Sequence, residues 1–259
     1  MADLSDVGIS NVALVHHNLS TPALFEEAIR RREGAVAQPG PLVVRTGQYT
    51  GRSAKDRFIV DEASSRYRIW WGEANQNFDP GDFDSQMVRY PMVLHDGATY
   101  KMWYTGYDVD TIGRIGYATS PDGSTWTKHP GNPVLRDPQH AVIRTTVIKH
   151  GGTYCLFASD HQWTKETGAI NRWVSQDGLH WTDKTAVLRP TQPWEDHFHN
   201  VHVIVDEDGT WKMLYTTDGP WGYAHSADGL HWTKHKDPVV TGFYGGDPFL
   251  KKIGENYYV

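Results

Sequence analysis

The segment Ser120–Trp126 reads Ser-Pro-Asp-Gly-Ser-Thr-Trp, and close copies of it stand at Ser175–Trp181 and Ser226–Trp232. The copies recur about every 50 residues, a spacing typical of repeat architectures. Each copy contains Asp-Gly, a pair that favours the positive φ of a tight turn between antiparallel strands. The three copies therefore predict three turns at equivalent places in a repeated unit.

Two β-rich segments precede each of these turns. The nearer segment alternates aromatic and other residues with the period of a strand, in Tyr100–Thr105, Tyr154–Ser159 and Trp211–Thr216. It is joined to the earlier one by a turn-forming pair, which is Asp96-Gly97, Gly151-Gly152 or Asp208-Gly209. One repeat is thus predicted to be a four-stranded antiparallel meander. Such a unit cannot bury both of its faces alone, and radial stacking into a propeller also protects the strand edges.

The predicted fold class is mainly β: an incomplete β-propeller of four-stranded antiparallel blades, preceded by a small α+β segment. Three blades begin near Gln86, His140 and Trp194, and a fourth begins near Phe243 and stops in its second strand. We expect residues 85–259 to form the propeller and residues 1–84 to form the preceding segment. We also expect the Trp that ends each turn motif to pack between blades.

Composition and charge exclude several classes of partner. The net charge is -6 and the only basic run is Arg30–Arg32, so neither nucleic acid nor a membrane surface is a predicted partner. The segment Met1–Asp6 lacks the features of a signal peptide, and no stretch approaches the ~20 apolar residues of a membrane span. We predict a cytoplasmic protein with a small-molecule or oligosaccharide substrate. The only cysteine, Cys155, lies in an apolar run and is expected to be a buried structural thiol.

The strand Tyr100–Gly106 and the Ser-x-Asp-Gly-x-x-Trp turns resemble the five-bladed propellers of family 43 and related glycoside hydrolases, over about residues 86–259. The turn also resembles the Asp box of sialidases, which has one more residue between Asp and Gly and therefore ranks second. The resemblance implies action on plant-type oligosaccharides such as arabinosides or xylosides. It also implies three carboxylates in the central channel: a general base, a general acid and a group that adjusts the pKa of the acid. Inverting hydrolysis needs the base and the acid on opposite sides of the bond that is cleaved.

Three residues are the candidates for those carboxylates. Gly246–Phe249 resembles the family segment whose Asp is the base, so Asp247 is the leading catalytic candidate. Glu195 and Asp196 open the third blade and are predicted as acid and adjusting group, with a solvated loop as the alternative. The residue equivalent to Asp247 in the first blade is Tyr90, which cannot act as a base at neutral pH. Because Glu195 precedes Asp247, against the order in the family, the chain either lacks part of the catalytic set or is a sugar-binding module.

Several Trp residues are candidates for stacking on sugar rings. Trp194 and Trp221 are the predicted substrate-binding residues, and Trp103 and Trp163 are further candidates. Core or inter-blade packing is the alternative for each of them.

Three histidines follow at short intervals, at His197, His199 and His202. Alternate spacing can place His197 and His199 on one face of a strand. Metal binding is therefore an alternative, but the sequence predicts no metal site and no cofactor.

Residues 1–84 contain no copy of the repeat. Asn18–Leu24, Val44–Glu62 and Ile69–Glu73 closely resemble the N-terminal part of ATP-dependent phosphoenolpyruvate carboxykinase. That resemblance implies that Arg52, in Thr-Gly-Arg-Ser, binds a carboxylate substrate. The sequence contains no Gly-x-x-x-x-Gly-Lys-Ser/Thr phosphate loop, so we do not expect carboxykinase chemistry.

The N-terminal segment also carries secondary-structure signals of its own. Thr21-Pro22 can begin a helix that Gly34 ends, and Pro41–Arg45 and Arg57–Val60 predict short strands. The carboxykinase likeness fades near Asn77–Phe83, where the propeller likeness begins. A natural fusion, a recombinant chimera and an assembly artefact all predict this pattern.

Overall fold

In the computed structural model, the described residues are 82–108, 110, 112–123, 125–138, 140–160, 168–241, 248–253 and 256–258, together with the backbone at 12–13, 57–61 and 66–70. These residues form strands, turns and irregular segments, and they include no helix. That part of the chain accordingly holds no helix with the length and hydrophobicity needed to cross a lipid bilayer. The prediction of a mainly β fold is confirmed.

The strands fall into five sheets. Three short N-terminal strands are β1 (Val12–Ala13), β2 (Arg57–Asp61) and β3 (Arg66–Trp70). The first four-stranded sheet contains β4 (Met87–Asp96), β5 (Thr99–Tyr107), β6 (Arg114–Ser120) and β7 (Thr127–Lys128). The second contains β8 (Ile143–His150), β9 (Thr153–Ser159), β10 (Ile170–Ser175) and β11 (Thr182–Leu188). The third contains β12 (Val201–Val205), β13 (Trp211–Thr216), β14 (Trp221–Ser226) and β15 (Thr233–Lys234), and the last strands are β16 (Lys251–Ile253) and β17 (Asn256–Tyr258).

Each four-stranded sheet is an antiparallel meander in chain order, as the repeat predicts. The turn glycines adopt positive φ values between 56° and 85°, at Gly97, Gly123, Gly151, Gly152, Gly178, Gly209 and Gly229. The first strands of the three blades, β4, β8 and β12, contact one another in succession. They therefore form the inner layer of the propeller, and residues at their N-terminal ends share one face of it.

The N-terminal strands contact the propeller strands in two places, where β1 meets β17 and where β2 meets β4. β16 and β17 pair antiparallel, and β1 adds to them in parallel through Val12 and Tyr257. β2 pairs antiparallel with β3 and contains the predicted strand Arg57–Val60. The helix predicted from Thr21 and the strand predicted at Pro41–Arg45 lie outside the described residues.

Aromatic side chains fill the space between the first and second blades. Trp103 is fully buried there, and its Nε1 donates a hydrogen bond to the carbonyl of Gly178 at 2.8 Å. The Trp181 ring lies edge-on to it, with centroids 6.3 Å apart. A Cβ on Gly178, whose φ is +81°, would lie 2.7 Å from Trp103, so both the turn and the packing require glycine.

The second and third blades meet in the same way. Trp232 lies edge-on to Phe157 at 5.9 Å, which confirms, with Trp181, the predicted inter-blade role of the motif Trp. Trp126 differs because it packs against Val93 and Tyr100 of its own blade. Cys155 is buried in the hydrophobic cluster that also contains Phe157 and Trp211, and it has a free thiol, as expected.

Candidate functional site

Glu195 lies in the segment that leads into β12, and the protein surrounds its carboxylate completely. Its Oε1 accepts a hydrogen bond from the Tyr215 hydroxyl at 2.7 Å. Its Oε2 accepts from the backbone N–H groups of Thr191 (2.7 Å) and Gln192 (2.8 Å) and pairs with Lys234 Nζ at 2.5 Å. The side chain has no solvent exposure. Both oxygens are therefore engaged inside the protein.

The surroundings of Glu195 also set its ionisation. Burial acts to raise the pKa, but the hydrogen bonds from Gln192, Lys234 and Tyr215 outweigh it and hold the pKa of Glu195 below its usual value. A general acid must carry a proton at the working pH, which requires the opposite shift. The geometry therefore gives the predicted acid role of Glu195 no support.

The other predicted residues near Glu195 have different surroundings. Asp196 is exposed to solvent. Trp194 is half-buried, stacks nearly parallel to Tyr215 with centroids 6.2 Å apart, and donates from Nε1 to the Lys236 carbonyl at 3.1 Å. Trp221 begins β14 and packs against the cluster that contains Leu214. Asp247, Arg52 and Trp163 lie outside the described residues.

Two residues at equivalent positions of the inner strands have strained backbones. Tyr90 in β4 and Arg144 in β8 have φ values of 53° and 55°, and each lies in an irregularity of its strand pairing. Left-handed φ at a bulky residue costs of order 1–3 kcal/mol and is concentrated at functional sites. The Arg144 guanidinium lies over the Tyr90 ring, 5.2 Å from its centroid. The strain thus places side chains of two neighbouring blades in contact.

On its other side, Arg144 lies next to a group of polar side chains in the third blade. Nη1 of Arg144 lies 3.5 Å from Nδ1 of His199. Nε2 of His199 lies 3.1 Å from Nε2 of His197 and 2.5 Å from Oδ1 of Asp218. The same Asp218 oxygen is 3.6 Å from Nε2 of His197. His197, His199 and Asp218 therefore converge at one point, and we call them the HHD cluster.

The HHD cluster is buried on the histidine side and open on the aspartate side. The side chains of His197 and His199 are 6% and 14% exposed, whereas that of Asp218 is 59% exposed. Burial lowers the pKa of His199 even though Asp218 favours its charged form, and the hydrogen bond from His199 lowers the pKa of Asp218. The lowered pKa values favour a neutral imidazole at His199 and an ionised carboxylate at Asp218, which faces solvent.

The strand register shows which residues of the second and third blades are equivalent to Tyr90, the residue that the sequence aligns with Asp247. Met92 pairs with Trp103 in the first blade, Thr146 with Phe157 in the second and His202 with Leu214 in the third. The residues two positions earlier in the chain are Tyr90, Arg144 and Asn200. The three described blades therefore present no carboxylate at that position.

Sequence reasoning identified His197 and His199 but missed Arg144 and Asp218. Arg144 stands in an ordinary alternating strand pattern, and only the irregular pairing of β8 gives it a special orientation. Asp218 follows β13 in the turn Thr217–Pro220. In a meander, the end of the second strand lies beside the start of the first. The predicted topology therefore could have indicated that Asp218, just after β13, lies near His199, just before β12.

The N-terminal part of the chain is similar to phosphoenolpyruvate carboxykinase, whose family model matches residues 13–140. The match continues past the predicted junction into the first blade. The ATP-dependent enzyme from Geotalea uraniireducens is 45% identical over 92 residues, which make up 36% of this chain and 17% of the relative. The chain thus spans about a sixth of the length of such a relative.

The described blades are similar in fold to carbohydrate-active propellers. A thermostable family-43 glycoside hydrolase has a TM-score of 0.56 at 18% identity, covering 68% of this chain and 63% of its own. An exo-1,5-α-L-arabinanase from a bovine ruminal metagenomic library has a TM-score of 0.51 at 20% identity, covering 71% and 66%. At this identity the likeness establishes the fold alone, which is a β-propeller. Both predicted resemblances, to the carboxykinase and to the glycoside hydrolases, are confirmed.

Proposed function

We propose that the propeller binds oligosaccharide on the face where Arg144, His199 and Asp218 meet. The observation that carries this proposal is the contact of Arg144, from the second blade, with Tyr90 of the first and His199 of the third. Guanidinium, imidazole and carboxylate groups are suitable hydrogen-bond partners for sugar hydroxyls. Fixed polar groups that converge at one end of a propeller are typical of a binding site.

Arabino- and xylo-oligosaccharides are the substrates that we propose first. The support is the likeness of the fold to a family-43 glycoside hydrolase and to an arabinanase. We expect Trp194 and Trp221 to contribute less than the sequence predicts, because Trp194 stacks on Tyr215 and Trp221 packs against the cluster that contains Leu214.

Binding, rather than hydrolysis driven by Glu195, is the role that the geometry favours. Glu195 is enclosed and its pKa is lowered, and Tyr90, Arg144 and Asn200 occupy the positions that align with the candidate base Asp247. We therefore propose that any hydrolysis depends on Asp247, and that Glu195 stabilises the third blade.

The binding test measures the affinity of the full chain for arabinotriose and xylotriose by titration calorimetry. Arg144→Gln and Asp218→Asn should each weaken binding about tenfold, because each removes one charge-assisted hydrogen bond worth about 1.4 kcal/mol. His231→Ala is the matched control, since His231 is an exposed histidine that pairs with Asp228 in a surface turn. Failure of the parent chain to bind either sugar, or equal binding by all variants, would overturn the proposal.

The hydrolysis test uses p-nitrophenyl α-L-arabinofuranoside and p-nitrophenyl β-D-xyloside. Any turnover by the parent chain should disappear in Asp247→Asn and persist in the folded fraction of Glu195→Gln. Turnover that disappears in a folded Glu195→Gln variant with unchanged sugar binding would restore the acid role of Glu195.

The remaining expectations concern the whole chain and stay proposals. We propose a domain boundary between residues 84 and 85, a cytoplasmic location and a carboxylate-binding role for Arg52. Oxaloacetate binding that weakens about tenfold in Arg52→Gln would support the last of these, since one charge-assisted hydrogen bond is lost. Equal oxaloacetate binding by the parent and Arg52→Gln would refute it.

A further inference from the structure

We propose that His197, His199 and Asp218, the HHD cluster, bind one divalent transition-metal ion such as Zn²⁺. Two imidazole nitrogens and one carboxylate oxygen converge there, all within 4.8 Å of one another. This inference is independent of the proposed sugar binding, because metal binding can be measured with no carbohydrate present.

The three donor atoms are close enough together for a single ion to bind all of them. Metal–ligand distances of about 2.1 Å with angles of about 90–109° place donor atoms about 3.0–3.4 Å apart. The two separations that involve His197, 3.1 and 3.6 Å, lie within or close to that range, and the 2.5 Å separation between His199 and Asp218 is a hydrogen bond that the ion would replace. A hydrogen-bond chain needs only consecutive contacts, whereas here each donor atom approaches both of the others.

The backbone holds these side chains in place. The His199 N–H donates to the Thr216 carbonyl at 2.8 Å, and the His199 carbonyl accepts from the Ser159 hydroxyl at 2.8 Å. Asp218 lies in a turn closed by the hydrogen bond from Thr217 N–H to the Pro220 carbonyl at 3.1 Å. Both histidine and aspartate sides of the HHD cluster are therefore fixed to β13. Most of the entropy cost of ordering the ligands is then incurred when the chain folds and not when the metal binds.

The charges around the HHD cluster act in both directions. The Arg144 guanidinium opposes a cation, but it faces Nδ1 of His199, the ring nitrogen opposite the donor atom. The Asp218 carboxylate offsets this charge and is open to solvent, which leaves coordination positions for water or a ligand hydroxyl.

Other His–Asp pairs on the surface show what the HHD cluster adds. His180 pairs with Asp177, and His231 with Asp228, each at 2.7 Å. Each pair belongs to one turn motif and offers a single imidazole. In the described part of the chain, a group of three metal-ligating side chains occurs only in the HHD cluster.

The donor types indicate the class of ion. Imidazole with a carboxylate suits Zn²⁺, Co²⁺ and neighbouring transition metals, whereas Ca²⁺ requires six to eight oxygen ligands. We therefore expect Zn²⁺ and Co²⁺ to bind and Ca²⁺ not to compete with them.

The experiment titrates the chelator-treated full chain with Co²⁺, followed by visible absorption, and with Zn²⁺ by calorimetry. We expect one ion per chain and a Co²⁺ spectrum that Zn²⁺ abolishes and Ca²⁺ leaves unchanged. His199→Ala should weaken binding at least about 100-fold, because even changes outside the ligand set cost 10–100-fold. Asp218→Asn is the second variant, since an exposed and nearly isosteric change leaves the fold intact.

A control is needed because the chain contains 14 His residues. His231→Ala removes an exposed histidine and should bind Co²⁺ as the parent chain does. Absence of a saturable site, or binding by His199→Ala and Asp218→Asn equal to that of the parent, would overturn the inference. Metal binding without any binding of arabinotriose or xylotriose would leave it standing and refute only the proposed function.

Discussion

Glu195 and His199 belong to the same short segment before β12, yet their surroundings differ in kind. Glu195 has no exposure, and each of its oxygens accepts a hydrogen bond from a side chain of the third blade. His199 contacts groups from two blades and an aspartate that is open to solvent. A buried group whose hydrogen bonds are complete is suited to stability, whereas a partly open group with convergent neighbours is suited to binding.

The first blade repeats the arrangement around Glu195 and strengthens this interpretation. Asp84, which precedes β4, accepts from the Tyr104 hydroxyl at 2.9 Å and pairs with Lys128 at 2.6 Å. In the third blade Tyr215 and Lys234 make the same two contacts to Glu195. A buried carboxylate bound by a tyrosine and a lysine recurs at equivalent places in two blades. This recurrence is better explained by a structural role in each blade than by a single catalytic site.

The largest effect that we expect comes from Glu195→Ala. Removing one member of a buried ion pair leaves the Lys234 charge uncompensated, so the free energy of unfolding should fall by about 3–5 kcal/mol. Urea unfolding followed by tryptophan fluorescence measures it. A variant with unchanged stability would break the comparison, because Glu195 would then not have the structural role assigned to it.

Asp84→Ala tests the equivalent carboxylate of the first blade and should lower the free energy of unfolding by a smaller amount. The Lys128 side chain is 52% exposed, whereas that of Lys234 is 11% exposed, so water solvates the orphaned lysine of the first blade. We expect a loss of about 1–3 kcal/mol, mainly from the buried Tyr104 hydroxyl that loses its acceptor. A loss equal to that of Glu195→Ala would show that lysine exposure does not set the difference.

The acid sensitivity of the fold should follow from the same group. The pKa of Glu195 is lower in the folded chain than in the unfolded chain, so its stabilisation is present above the unfolded value of about 4.3. It is lost as the pH falls through the folded pKa. Glu195→Gln should therefore lose less stability than the parent chain between about pH 5 and 3. Parallel curves for the two proteins would contradict the lowered pKa.

The sequence predicted the blades because each depends on local signals. Asp122-Gly123 marks a turn by the φ that glycine permits, and Tyr100–Thr105 alternates with the period of a strand. The site was harder to predict because its parts come from different blades. Arg144 meets His199 only through an irregularity in β8, and the type of residue at Glu195 does not show that Tyr215 and Lys234 enclose it.

The smallest effect on stability should come from Asp218→Asn, and it separates the two regions most sharply. The side chain is 59% exposed, so replacing its carboxylate by an amide of the same shape should change the free energy of unfolding by less than about 0.5 kcal/mol. The same change should weaken sugar and Co²⁺ binding, because Asp218 supplies the open side of the HHD cluster. Unfolding and titration of one preparation measure both effects. A variant that loses stability but keeps its ligands would place Asp218 with Glu195, as part of the framework and not of the site.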